Sequence, residues 1–265
     1  MLSQKATQCI KNYLNLPFKG LEGVRCPYFN NSKLRQRGQL RVLIGKGNPD
    51  EIVEEAQIIS MQYHAGLFDK DGNCLVKNDK NKTIQNFLVD HRLGIECSGF
   101  VTHVLRTHFK ETKKIDLVKK IHIVPKKRIF RWLISLLRPI ENIDVKVYSN
   151  NINSTVIVDD KKLNYNDIQA GDFLTLLETG PTKKRYHIIL ITDKKNNIVS
   201  YVHARAWESE GKYNHGVSEG FFKITAPTKK ISEQEWHELG KIGQENETYL
   251  EVRDAKVAEI RRLIF

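Results

Sequence analysis

Three residues in this 265-residue chain are of the types that nucleophilic acyl transfer uses: Cys97 in "GIECSGFVTHVLR", His187 in "YHIILIT" and His203 in "YVHARA". Such chemistry needs a sulfur nucleophile, an imidazole to move its proton and a third group to orient that imidazole. Each candidate has a plain structural counterpart. A cysteine at a helix start is commonly a small buried apolar residue, and two strand histidines are commonly core residues satisfied by backbone.

The elements that would carry them follow from local pattern. Phe100, Val101, Val104 and Leu105 recur at helical spacing, which sets Cys97 in the first turn of a helix. Free N–H groups and the positive dipole end there favour a thiolate. Ser98 and Gly99 are small enough for close approach. "GDFLTLLE", "YHIILIT" and "IVSYVHARA" are short apolar runs between charged turns, and read as antiparallel strands.

His187, Ile189 and Ile191 fall on one face of their strand, with Ile188 and Leu190 on the other. If the "DKKNN" turn centres on Lys195, His187 lies opposite His203, Ile189 opposite Tyr201 and Ile191 opposite Val199. Residues opposed in this way have Cβ atoms about 5 Å apart. A slip of one residue would send the two imidazoles to different faces.

These residues resemble the NlpC-type cell-wall cysteine peptidases, which are papain-like. "ECSGFV" is similar to their Asp-Cys-Ser-Gly-Phe/Leu-Val motif, "AGDFLTL" to their Gly-Asp strand, "YHIILIT" to their His-Val-Gly-Ile-Tyr strand and "YVHARA" to their Ile-His-Ala strand, in the same order. The resemblance spans roughly residues 84–224. It implies an α+β fold with a papain-like core, in which the nucleophile-bearing helix packs on an antiparallel sheet that carries the histidines. It makes Cys97 the nucleophile, His187 the base and His203 the orienting residue.

Enzymes of that family hydrolyse peptidoglycan stem peptides, commonly between D-glutamate and a diamino acid, and use no metal or cofactor. The implied partner is an anionic peptide or peptidoglycan fragment. Glu96 departs from the family's aspartate, and Ile188-Ile189 from its small residue after the histidine. The Tyr-x-Trp-Gly-Gly stretch before the cysteine is absent. For the oxyanion, the backbone N–H of Cys97 or Ser98 is the expected donor, with Gln85 and His91 as side-chain candidates. Other readings of the same residues are an amidase or acyltransferase acting on another peptide or a lipid, and a non-catalytic binding protein on the same scaffold.

Around this core, residues 1–82 read as an α+β accessory segment and 83–265 as the peptidase-like domain, with an insertion at about 110–166. In the first segment, a short β-rich run from Leu40 leads through "GKG" into a helix. Asn48 is its N-cap, Pro49 its first residue and Glu51 its capping-box carboxylate; Ile52, Ala56, Ile59 and Tyr63 form the buried face. "GKG" lacks the further Gly and Ser/Thr of a P-loop and reads as a turn. In the insertion, "KKRIFRWLISLLRP" reads as a basic amphipathic helix, and "IDVKVY" and "STVIVDD" as β-prone runs. Ser232 and Glu235 mark another helix start, while the last fifteen residues fit helix or strand.

With 40% hydrophobic residues the chain can bury a full core. Cys9, Cys26, Cys74 and Cys97 have no CxxC spacing, which argues against zinc and for a reducing compartment. The net charge of +12 attracts polyanions of any kind. No zinc-finger or RRM signature accompanies it, so no specific nucleic acid is expected. The N-terminal stretch does not read as a secretory signal, and the longest apolar run, "IFRWLISLL", is too short to span a membrane. A cytoplasmic location is expected, with export by a non-classical route as the alternative.

Overall fold

The computed structural model describes residues 1–30, 40–123 and 137–265. Four helices lead the described chain: α1 Gln4–Leu14, α2 Pro49–Gln62, α3 Lys80–Asp90 and α4 Cys97–Thr112. The strands then run β1 Ser154–Val158, β2 Phe173–Thr179, β3 Arg185–Lys195, β4 Ile198–Arg205, β5 Gly216–Lys223, β6 Glu235–Glu238, β7 Lys241–Ile242 and β8 Val257–Leu263. They form one sheet in the order β1-β8-β2-β3-β4-β5-β6-β7. Every neighbouring pair is antiparallel. The fold is therefore a mixed one, with helices beside a single antiparallel sheet.

Antiparallel sheets commonly wet one face, which gives alternating apolar and polar residues. β3 instead reads "HIILI", because both of its faces are covered. Ile188 and Leu190, with Val202, Ala204 and Val217, join the core formed with the helices. Ile189 and Ile191, with Tyr201, Phe222, Trp236 and Ile260, build a second core on the opposite face. The helix Glu247–Asp254 adds Val252 to that second core.

Residues 1–82 contribute to the first core. Ala6, Ile10 and Tyr13 of α1 pack with α4, and the Tyr13 ring meets Phe100 edge-on at 5.2 Å. The start of α2 follows local chemistry. Asn48 accepts from the N–H of Glu51, the Glu51 carboxylate accepts from the N–H of Asn48, and Pro49 opens the helix. Ile52, Ala56 and Ile59 are buried as expected, whereas Tyr63 is the C-cap and exposed.

Several expectations are corrected. The run after Leu40 is a 3-10 turn, Arg41–Ile44, because Gly45 closes it in the left-handed region at φ 76°. "IDVKVY" holds a helical turn, Val145–Tyr148, since Asp144 caps it by accepting from the N–H of Val147. Ser232 lies in a 3-10 turn, and Glu235 begins β6 rather than a helix. "STVIV" is β1, and the C-terminal residues form β8. Most of the basic stretch "KKRIFRWLISLLRP" lies outside the described residues. Among the described residues no helix is long and apolar enough to cross a membrane.

Candidate active site

Cys97 is the first residue of α4. The approach to this helix start is set by two glycines. A Cβ on Gly99 would come within 2.7 Å of the Gly45 carbonyl oxygen, and one on Gly45 within 2.4 Å of that of Phe29. The chain therefore folds "GKG" directly under the turn that carries Cys97, and the Glu96 N–H donates to Gly45 O at 2.9 Å. "GKG" is a turn, as expected, but its lysine is buried.

Lys46 forms an ion pair with Glu96 and donates to Ser98 Oγ at 2.8 Å and to the Ile143 carbonyl at 2.6 Å. The Ser98 hydroxyl donates in turn to Glu96. Glu96 thus spends its carboxylate on Lys46 and Ser98 and makes no side-chain cap bond to α4. The backbone N–H groups of the first turn, including those of Cys97 and Ser98, are left uncapped by it. This suits the expected oxyanion donors. Gln85 donates to the Tyr213 carbonyl at 3.5 Å, and His91 packs on Phe87 and Tyr63.

The β3–β4 ladder ends at the pair Leu190 and Val202. Beyond it the N–H of Ile188, the residue that follows His187, is among the groups that act on the Cys97 thiol. Both side chains are nearly enclosed, Cys97 being 4% and His187 5% exposed. Burial, followed by the charge of Glu96, pushes the Cys97 thiol up to about 12; the Ile188 N–H and Lys46 pull the other way but do not prevail. Burial, followed by His203, holds His187 well below the ordinary histidine value. The resting pair is thiol and neutral imidazole. Desolvation of the charged forms outweighs the preference of the helix start for a thiolate.

His187 Nε2 lies 2.7 Å from His203 Nδ1, the rings meeting edge to face. Their register differs from the one expected. The turn residues are Asn196 and Asn197, with Lys195 paired to Ile198 and Asn196 at φ 54°. A bulge at Thr192 follows, and Ile191 then pairs with Tyr201 rather than Val199. Continued past Leu190 and Val202, this register sets His203 across from Ile189, diagonal to His187. Diagonal neighbours on one face remain within reach of ring side chains.

Two further groups were not visible in the sequence pattern. Glu238, at the end of β6, brings Oε2 to 3.1 Å from His203 Nε2. Its carboxylate also accepts from Tyr201 OH at 3.0 Å, Thr248 Oγ1 at 2.8 Å and Arg205 Nε at 2.6 Å. Burial works against the charge on Glu238, but His203 and Arg205 outweigh it and hold the carboxyl well below the usual range. Tyr28 is the second group. It lies on a segment bridged to Ile95, two residues before Cys97, and burial, followed by Cys97 and Glu96, raises its hydroxyl above the ordinary tyrosine value. No spacing rule links either residue to Cys97, since both arrive through long-range pairing. A cleft of about 420 Å³ is walled by Tyr28, Phe29, Val89, Arg92 and His215 among others; Cys97, His187 and His203 are not part of its wall.

Glu251, half-buried on the C-terminal helix, completes the surroundings. Thr179 Oγ1 donates to it at 3.2 Å, and burial raises its carboxyl to about 7. Among the described residues no cluster of His, Cys, Asp and Glu is arranged to hold a metal ion. Compared with known proteins, the chain matches no family model, no curated protein and no solved structure.

Proposed function

We propose that the protein is a cysteine hydrolase with a papain-like core that cleaves amide bonds in carboxylate-rich peptides, peptidoglycan stem peptides and muropeptides being the first class to test. The observation that carries this reading is the contact of His187 Nε2 with His203 Nδ1 at 2.7 Å, on the strand whose Ile188 N–H acts on the buried Cys97 thiol.

The neutral resting pair fits general-base attack. As sulfur bonds to the substrate carbonyl carbon, the thiol proton passes to His187, and the first-turn N–H groups of α4 receive the developing oxyanion. His187 then gives that proton to the leaving amine as the C–N bond breaks. Water attacks the thioester, His187 takes its proton, and the proton returns to sulfur as the C–S bond breaks. His203 orients the imidazole throughout.

Incubation of the wild type and the Cys97→Ala variant with purified muropeptides, followed by mass analysis of the products, tests the proposal. Cleavage by the wild type and none by the variant is expected. Equal product in both would refute it.

A further inference from the structure

We propose that Glu238 is a positioning residue: acting through His203, it dictates which nitrogen of His187 is free to take the thiol proton. The inference rests on the reading of Cys97 and His187 given above.

The argument follows the protons along the chain of contacts. Arg205 carries a permanent charge and donates through Nε to Glu238 Oε1 at 2.6 Å. Tyr201 and Thr248 donate to Oε2. Glu238 is therefore a carboxylate, which only accepts. His203 Nε2, 3.1 Å from Oε2, must then carry a proton. Arg205 already supplies the counter-charge of Glu238, so we take His203 as a neutral imidazole with one proton, and its Nδ1 presents a lone pair. His187 Nε2, 2.7 Å from that lone pair, must be the donor. With its proton on Nε2, neutral His187 keeps its own lone pair on Nδ1, the nitrogen that the proposed function requires as the base. A carboxylate two imidazoles away thereby sets the base.

Every partner in this relay is fixed. Glu238 and His203 have no exposed side-chain surface, and Arg205 is held from its other edge by Glu210 and Ser218. Hydrogen-bond partners of this kind set tautomer and ring orientation, as they do behind metal-bound histidines.

Glu238→Gln discriminates because it changes polarity while keeping shape. Arg205 Nε needs an oxygen opposite it, so the amide nitrogen takes the place of Oε2 and donates to His203 Nε2. His203 must then be protonated on Nδ1, and His187 on Nδ1 as well, which removes the base. The test is nitrogen NMR of the full chain labelled at histidine, at neutral pH, with side-chain tautomers read in the wild type and in E238Q, alongside turnover. Expected are Nε2–H on both residues in the wild type, Nδ1–H on both in E238Q, and activity lower by about 100-fold or more.

A wild type with His187 protonated on Nδ1, a doubly protonated His203, or an E238Q protein with unchanged tautomers would overturn the inference. The wild-type spectrum decides alone should E238Q not fold. Wild-type tautomers as expected, with no cleavage of any amide substrate, would sink the proposed function and leave the tautomer relay standing. Cleavage with reversed tautomers would do the opposite.

Discussion

His203 lies diagonally across the β3–β4 hairpin from His187, and the two rings share a face only because Thr192 is an extra, bulged residue. The Asn196–Asn197 turn lies beyond Lys195 by enough to slide the register three residues, an odd number that by itself would put the imidazoles on opposite faces. The bulge takes back one residue and restores the parity.

Deletion of Thr192 is accordingly expected to separate the histidines and abolish activity. Thr192→Val, which keeps the bulge and the β-branched shape of this half-buried residue, should leave activity within about twofold. Steady-state turnover of the two variants is the measurement. An active deletion variant would show that the bulge does not set the site.

Because burial raises the Cys97 thiol from 9.0 to about 12, its alkylation by iodoacetamide should be slow at pH 6. The rate should then climb about tenfold per pH unit well past pH 9, as thiolate supply limits the reaction. A rapid reaction on a plateau between pH 5 and 7 would mean that the resting site is an ion pair. Mass mapping is needed to separate Cys97 from Cys9 and Cys74, which are only partly buried.

The Lys46–Glu96 pair beneath α4 should behave as a unit. Lys46→Met alone strands a nearly buried carboxylate and is expected to cost about 3–5 kcal/mol. Combining it with Glu96→Gln should recover much of that loss. Urea denaturation of the two single variants and the double variant measures the coupling, and simple additivity would contradict the buried-pair description.

His103 supplies a stability prediction. Burial lowers its pKa from 6.5 to about 4, while its ring donates through Nε2 to the Lys46 carbonyl at 2.9 Å. The unfolded chain binds this proton more readily. The contribution is thus fully present above pH 6.5 and is lost as pH falls towards 4, by on the order of 3 kcal/mol. His187, depressed in the same direction, adds to the effect. His103→Gln keeps a donor and cannot titrate, so the difference in unfolding free energy between pH 7 and pH 4 should shrink by about this amount. An unchanged difference would contradict the assignment.

What the sequence by itself determined is local. The first turn of α4 at Cys97, the capping box at Asn48 and Glu51, and strands β2, β3 and β4 all follow from spacing and caps, which depend on residues within one or two turns of one another. Which residues of the β3–β4 hairpin face each other could not be read this way. "HIILI" is apolar on both faces, so a slipped register buries the same kind of surface and the pattern carries no record of parity. Tertiary structure decided that parity through a left-handed Asn196 and the bulge at Thr192. It also brought Glu238 to His203, Lys46 beneath Glu96 and Tyr28 to Ile95, contacts that local periodicity does not encode. The charge state of Cys97 belongs to the same class: a helix start favours a thiolate locally, and only enclosure by the whole fold reverses that preference.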